Sequence, residues 1–297
     1  MISDDLLVKI EESLKNKCIK KEALTEYVTL LSFSNNKYIV KEVSNKSKEI
    51  YDYMASQKVE NVLYPKKRFL DNKKMYFLFD YIQSLEYPNE KKILNLIESL
   101  DELHKKTSFE IKSEDINFKY FLRIYKRLDR YFQTLEMLVR ECEIKEKKSD
   151  FEWVILSKYN IFLDAKKVMY QLQRTIHKYV DNKGVCIYSL NHGNPNLNHF
   201  MQDKLLSFEN GYIGIFVSDF AKLYTSIDDI NGEWFKELES KISSYGNDFY
   251  KKYFKFFVLY LYIINLRFTS FSDHTIMNTY IQIGNKISRF LSLTSNY

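Results

Sequence analysis

Strand-like and helix-like periodicities occupy different parts of this chain, and that segregation limits the fold more than any other feature. β-like runs at 25–33, 37–43, 67–70 and 75–81 all precede residue 82, and helical spacing governs most of the remaining residues. A leading helix is predicted over 4–15 from Leu6, Leu7, Ile10 and Leu14. Ser34-Asn35-Asn36 joins the first two runs, and Asn tolerates the positive φ that a hairpin turn needs. A helix is expected over 46–57. Pro88 precedes an amphipathic one with Ile93, Leu96, Ile97, Leu100 and Leu103 on one stripe and His104 near its end, read as a packed histidine. Further helices are predicted over 117–143, 161–180 and most of 233–293. Strands near 184–188 and 212–217 bracket a polar segment. The expected fold is α+β and two-lobed. An N-lobe (1–82) carries an antiparallel sheet and one helix, and a helical C-lobe (83–297) carries a hairpin within 191–220.

Charge and cysteine usage exclude several function classes. The net charge of +6 arises from 45 basic and 39 acidic residues that alternate along most of the chain. A nucleic-acid binder would gather its cations on one face, so that class is disfavoured. Aromatic and basic residues interleave over 117–143, but at helical spacing this pattern reads as core packing rather than base stacking. Three scattered cysteines, Cys18, Cys142 and Cys186, fit neither a disulfide framework nor a metal motif and suit a reducing compartment. The start of the chain, Met1-Ile2-Ser3-Asp4-Asp5, lacks the order of a signal peptide. The longest apolar run, 256–266, is too short to span a bilayer. The expectation is a cytoplasmic protein without a membrane partner.

The chemistry-bearing residues lie in two places. On the second β-run, Lys41 shares a face with Ile39 and Val43, so its ammonium is expected to be partly buried and to need a partner. Glu49, on the helix after that strand, is one candidate; taken alone, a surface Lys and an unrelated helical Glu account for the same residues. The second place is Asn191-His192-Gly193-Asn194-Pro195-Asn196-Leu197-Asn198-His199, followed by a predicted hydrophobic strand that closes on Val217-Ser218-Asp219-Phe220.

In order and spacing these segments resemble the aminoglycoside phosphotransferase/choline kinase superfamily, a branch of the protein-kinase-like fold, and within it the spore-coat kinase-like proteins. The resemblance runs over nearly the whole chain: Tyr38-Ile39-Val40-Lys41, the Leu103-His104 helix end, the His192-Gly193 turn and Ser218-Asp219-Phe220. It implies a nucleotide held by Lys41 and Glu49, with the backbone of Asp80, Tyr81 and Ile82 along the adenine edge. His192 and Asn194 would then stand at the catalytic turn, and Asp219 with His199 or its neighbour Asn198 at the metal. Asp228 or Asp229 matches a further family Asp. The implied cofactor is ATP with Mg²⁺ or Mn²⁺, and the departures from the family pattern leave no cofactor as the alternative.

Those departures are specific. The family has Asp where this chain has Asn194, and Asn where it has His199. No glycine occurs in the expected phosphate-covering segment, 20–25. Asn keeps the shape of Asp but accepts no proton at neutral pH, and general-base catalysis contributes about 10²–10⁴-fold. Imidazole is a poor ligand for Mg²⁺. The expected function is a kinase-like protein with impaired or absent phosphotransfer and a binding or structural role. The resemblance points to spore-coat assembly, with protein partners in a coat-like structure and a spore-associated location. The alternative is an ATP-dependent kinase acting on a small-molecule hydroxyl, with Asn194 orienting the acceptor.

Overall fold

The computed structural model describes residues 2–83, 88–112, 118–182, 184–227, 233–266 and 274–295. By contact the chain divides into two compact units, 1–108 with 189–214, and 109–188 with 215–297. Beyond the residues of the expected N-lobe, the first unit therefore also contains the helix after Pro88 and the polar turn segment.

The first unit is built on a five-stranded sheet. In chain order its strands are β1 (Lys20–Ala23), β2 (Val28–Ser32), β3 (Lys37–Val43), β4 (Lys67–Asp71) and β5 (Lys74–Asp80), and they are arranged β1-β2-β3-β5-β4. All pairings are antiparallel, with Lys41 opposite Val28 on one side and Phe77 on the other. Because side chains alternate along a strand, the sheet has two differently used faces. On one face Leu31, Tyr38, Val40, Tyr76 and Leu78 pack with Leu6 and Ile10 of helix α1 (Asp4–Leu14). Ser3 caps α1 by accepting from the Leu6 amide at 3.0 Å, and Lys15 closes it in a left-handed conformation. The other face carries Phe77 and Phe79. Tyr51 of helix α2 (Asn45–Ser56) meets them edge-on and tilted, with centroids 5.6 and 5.9 Å away.

Helix α3 (Asn89–Thr107) buries the predicted stripe, and His104 is fully buried on it. It ends the continuous part of the first unit. The chain returns along the last residues of β7 (Val185–Asn191) and passes through a 3₁₀ turn at Leu197–His199. The short hairpin β8 (Phe200–Met201) and β9 (Lys204–Leu205) comes next, then a second 3₁₀ turn at Phe208–Asn210 and β10 (Tyr212–Ile215). The hairpin is tied to the loop before β4: the Leu205 amide donates to the Asn61 carbonyl at 2.8 Å and the Leu63 amide to the Leu205 carbonyl at 3.0 Å. The Asn61 side-chain amide in turn donates to the Ser99 carbonyl of α3 at 2.5 Å.

The second unit is helical. It contains α4 (Phe118–Ile144), α5 (Asp150–Asp181), α6 (Val217–Ser226), α7 (Trp234–Ser244), α8 (Asp248–Ile264) and α9 (His274–Leu293), together with edge strand β6 (Phe109–Lys112) paired to the first half of β7. Its core is aromatic: Tyr224 packs against Trp234, Phe235, Phe254 and Phe290 at centroid distances of 5.0 to 5.8 Å. The apolar run at 256–266 lies largely in buried helix α8. Among the described residues no helix is long and apolar enough to cross a membrane.

Four expectations need correction. Helix α5 begins at Asp150 rather than 161, because Ser149 and Glu152 form a reciprocal capping box. The segment 20–25 holds strand β1 and the start of a tight turn in which the Leu24 and Thr25 amides both donate to the Val28 carbonyl. Strand β6 arises in a segment without strand periodicity. The residues Val217-Ser218-Asp219-Phe220 form the first turn of α6, not the end of a strand. A short apolar run is ambiguous between the two periods, and β10 stops at Ile215.

Candidate functional site

A cavity of about 350 Å³ opens within the first unit, near the lower end of the size range of ligand pockets. Its walls are mostly apolar. Leu24 and Val28 come from the β1–β2 hairpin, Ile39 and Phe79 from the sheet, Leu63 from the loop before β4, and Met201 and Leu206 from the β8–β9 segment. Asp80, Tyr81 and Ile82, expected along an adenine edge, line it where β5 ends. The Tyr81 amide, however, donates to the Lys37 carbonyl at 3.0 Å and so belongs to the sheet ladder.

Lys41 also lines this cavity, as do Tyr51 and Ser207. Its side chain is 19% exposed, as expected for a cation sharing a face with apolar neighbours. The partner differs from the one expected. Lys41 forms an ion pair with Glu209, and its ammonium lies 3.4 Å from the Ser207 hydroxyl, to which it donates. Glu49 is exposed on α2. Sequence reasoning missed Glu209 and Ser207 because they flank Phe208 at an irregular 3₁₀ turn, where no periodicity marks a residue. The available signal was an acid directly after the hairpin that succeeds the His192 turn.

Phe208 explains how the turn presents both groups. Its ring is fully buried, 5.9 Å from Tyr51 and 4.6 Å from His192. Tyr51 joins the same arrangement through its hydroxyl. Burial first, and then the negative charge of Glu209, push that hydroxyl far above its ordinary pKa, while the Phe208 backbone partly offsets them. Tyr51 is therefore a neutral hydroxyl at any physiological pH.

The His192 turn is fixed from both sides. His192 is fully buried and accepts from the Asn194 amide at Nδ1 (3.3 Å), so its Nε2 carries the proton and donates to the Leu206 carbonyl at 2.6 Å. Gly193 has φ +83°, and a Cβ there would lie 2.0 Å from the Asn210 carbonyl oxygen. This glycine is thus required twice, by conformation and by close approach. Asn194 is exposed, and its side-chain oxygen accepts from the Asn196 amide at 3.3 Å. Asn196 also accepts from the Asn198 and His199 amides, at 3.0 and 3.2 Å. Asn198 is exposed. His199 Nδ1 lies 3.0 Å from the Asn194 carbonyl and 3.4 Å from the Asn196 side-chain nitrogen.

Asp219 belongs to the second unit. It is fully buried in the first turn of α6, and its charge opposes the effect of burial on Lys222, whose pKa is lowered. Asp228 and Asp229 lie outside the described residues. Among the described residues no three His, Cys, Asp or Glu side chains gather in a group suited to a metal ion. Among the described residues lining the cavity the carboxylate is Asp80, which is paired with Lys66 at 3.2 Å. Glu209 is engaged by Lys41, and His199 offers nitrogen rather than the oxygen this ion prefers. The cavity combines mostly apolar walls with one lining cation, Lys41, among the described residues.

No protein-family model matches the chain, and no curated protein matches it. Solved structures do. An aminoglycoside phosphotransferase from Alicyclobacillus acidocaldarius superposes with a TM-score of 0.68 at 12% identity, covering 99% of this chain and 95% of that one. The AMP-bound complex of a spectinomycin phosphotransferase gives 0.55 at 9% identity, covering 99% of each chain. A microcompartment-associated aminopropanol kinase gives 0.51 at 12% identity, covering 96% of this chain and 98% of that one. The chain thus has the α+β, protein-kinase-like fold of the aminoglycoside phosphotransferases and related small-molecule kinases.

Proposed function

We propose that this is a kinase-like protein that binds a nucleotide and transfers phosphoryl groups poorly or not at all. The observation carrying the first half is Lys41, half-buried in an apolar cavity of ligand size within a fold shared with phosphotransferases. Supporting the second half is Asn194, exposed at the turn where a proton acceptor is needed and carrying an amide in its place. Losing general-base catalysis removes about 10²–10⁴-fold, although a loose phosphoryl transition state leaves much of the rate to positioning. If the chain acts through what it binds, the sequence resemblance makes protein partners in a spore-coat-like assembly the class to test by co-purification.

Calorimetry with adenine nucleotides, alongside a phosphate-release assay, tests this reading. The expected result is binding that weakens in Lys41→Ala and disappears in Val28→Trp, which fills the slot, without sustained turnover. Steady metal-dependent ATP turnover abolished by Lys41→Ala would refute it. A second reading, an ATP-dependent kinase for a small-molecule hydroxyl, draws on Glu209, an acid beside Lys41 at the cavity. It predicts that Asn194→Asp raises turnover and Glu209→Gln removes it.

A further inference from the structure

The electrostatics of the cavity restrict the nucleotide more than its shape does. Among the described residues lining it, Lys41 is the cation and Asp80 the acid, and each is already paired, Lys41 with Glu209 and Asp80 with Lys66 at 3.2 Å. Around Lys41 the cavity therefore presents a neutral ion pair and a hydroxyl, Ser207, rather than a field of positive charge. The β1–β2 turn adds no glycine-lined cradle of amides: the Leu24, Thr25 and Val28 amides bond to carbonyls of the turn and the Tyr27 amide to the Thr25 hydroxyl, and Leu24 and Tyr27 project as bulky, exposed side chains. Among the described residues lining the cavity the one carboxylate a divalent cation could use is Asp80, which is paired with Lys66, and Glu209 beside the cavity is engaged by Lys41.

We infer that the cavity takes a purine nucleoside monophosphate without a divalent cation, rather than a metal-bound triphosphate. This rests on the nucleotide reading and names its ligand class. A monophosphate carries between one and two negative charges at neutral pH. One ammonium and one hydroxyl can meet that charge, Lys41 turning from Glu209 to the phosphate while the solvent-accessible Glu209 carboxylate, 37% exposed, keeps its hydration. Each additional phosphate brings charge toward Glu209 with no further cation among the described lining residues to offset it, and like charges repel in a partly buried site. The cavity volume, at the small end for a ligand pocket, agrees with a compact occupant.

Calorimetry on the full chain with adenosine, AMP, ADP and ATP, in EDTA and then with Mg²⁺ or Mn²⁺, tests this. AMP is expected to bind equally with and without metal, and ATP about tenfold more weakly in both conditions, the sign set by charge repulsion. Lys41→Ala should reduce AMP affinity to that of adenosine. The isosteric Glu209→Gln should bring ATP close to AMP. ATP binding tighter than AMP once metal is added would overturn the inference while leaving the nucleotide reading intact, as would a Glu209→Gln variant with an unchanged ATP-to-AMP ratio. A folded protein that binds none of the four removes the nucleotide reading and this inference together.

Discussion

Replacing Phe208 with Ala tests whether the second 3₁₀ turn is held by packing. The ring is fully buried between Tyr51 and His192, and Tyr51 in turn contacts Phe77 and Phe79. Truncating a buried Phe costs about 3–5 kcal/mol through lost transfer energy and the residual cavity. Each aromatic pair adds about 0.5–1.5 kcal/mol. Collapse of Tyr51 into the space offsets part of this, so about 4 kcal/mol is expected, a large fraction of the roughly 5–15 kcal/mol that stabilises a typical domain. The first unit has about 130 residues, for which each kcal/mol moves the midpoint by about 3–4 °C, so the melt should fall by on the order of 10 °C. Phe208→Leu should lose less than half as much. Thermal unfolding tracked by near-ultraviolet circular dichroism reads both variants, and calorimetry reads the binding of AMP. A loss below about 1 kcal/mol for Phe208→Ala would refute the packing argument. Intact AMP binding in Phe208→Ala would refute the further claim that this ring positions Ser207 and Glu209.

Single features give further outcomes. Gly193→Ala should destabilise the first unit by more than about 2 kcal/mol, since positive φ and a 2.0 Å approach to the Asn210 carbonyl both oppose a side chain; a soluble variant with an unchanged melt would contradict the turn geometry. Ser149→Ala removes the α5 cap and should cost about 1 kcal/mol in denaturant unfolding. Glu152, hydrogen-bonded first by Lys145 and then by the Ser149 amide, has its carboxyl lowered from 4.5 to about 2. Its contribution is complete above pH 4.5 and lost as pH falls toward 2, so Glu152→Gln should flatten the acid side of a stability-pH profile. Burial raises the Cys186 thiol to about 12, and Cys142 is likewise buried. A thiol reagent should therefore label Cys18 alone in the native protein and all three cysteines after denaturation.

The sheet was legible in the sequence wherever a strand buries one face. Strands β2, β3 and β4 carry that alternation, whereas β5 is marked by a nearly all-apolar run because both of its faces are packed. The β2–β3 hairpin turns where Asn35-Asn36 predicted it, but neither Asn takes the positive φ on which that expectation rested. Strands β1 and β6 were missed because both are edge strands, four residues long and charged or exposed, so neither writes a period of two. The start of α5 was missed for a different reason. Its cap was present as Ser149-x-x-Glu152, but it sat in a charged run that reads as a loop. Lys41 and the end of β5 stand at the cavity on regular elements, which is why their positions are readable from strand periodicity. The position of Glu209 is not, since a 3₁₀ turn and a tertiary contact with Phe208 place it, and neither leaves a pattern in nearby residues. Asp219 shows the converse: an apolar run ending in Asp-Phe resembled a strand, yet Phe216 and the residues after it wind into α6.

The discontinuity of the first unit also has a consequence for biosynthesis. Residues 1–108 emerge first, but 189–214 belong to the same unit and arrive only after residues 109–188 have been made. At about 5–20 residues per second this interval of 80 residues lasts roughly 4–16 s. Throughout it the nascent chain lacks Phe208, so Tyr51 is without that ring contact, and the loop at Asn61 lacks the Leu205 strand that bonds to it. Ribosome-bound chains ending between 109 and 188 should accordingly be protease-sensitive and recruit chaperones, and protection should appear only once the hairpin around Leu205 has cleared the exit tunnel.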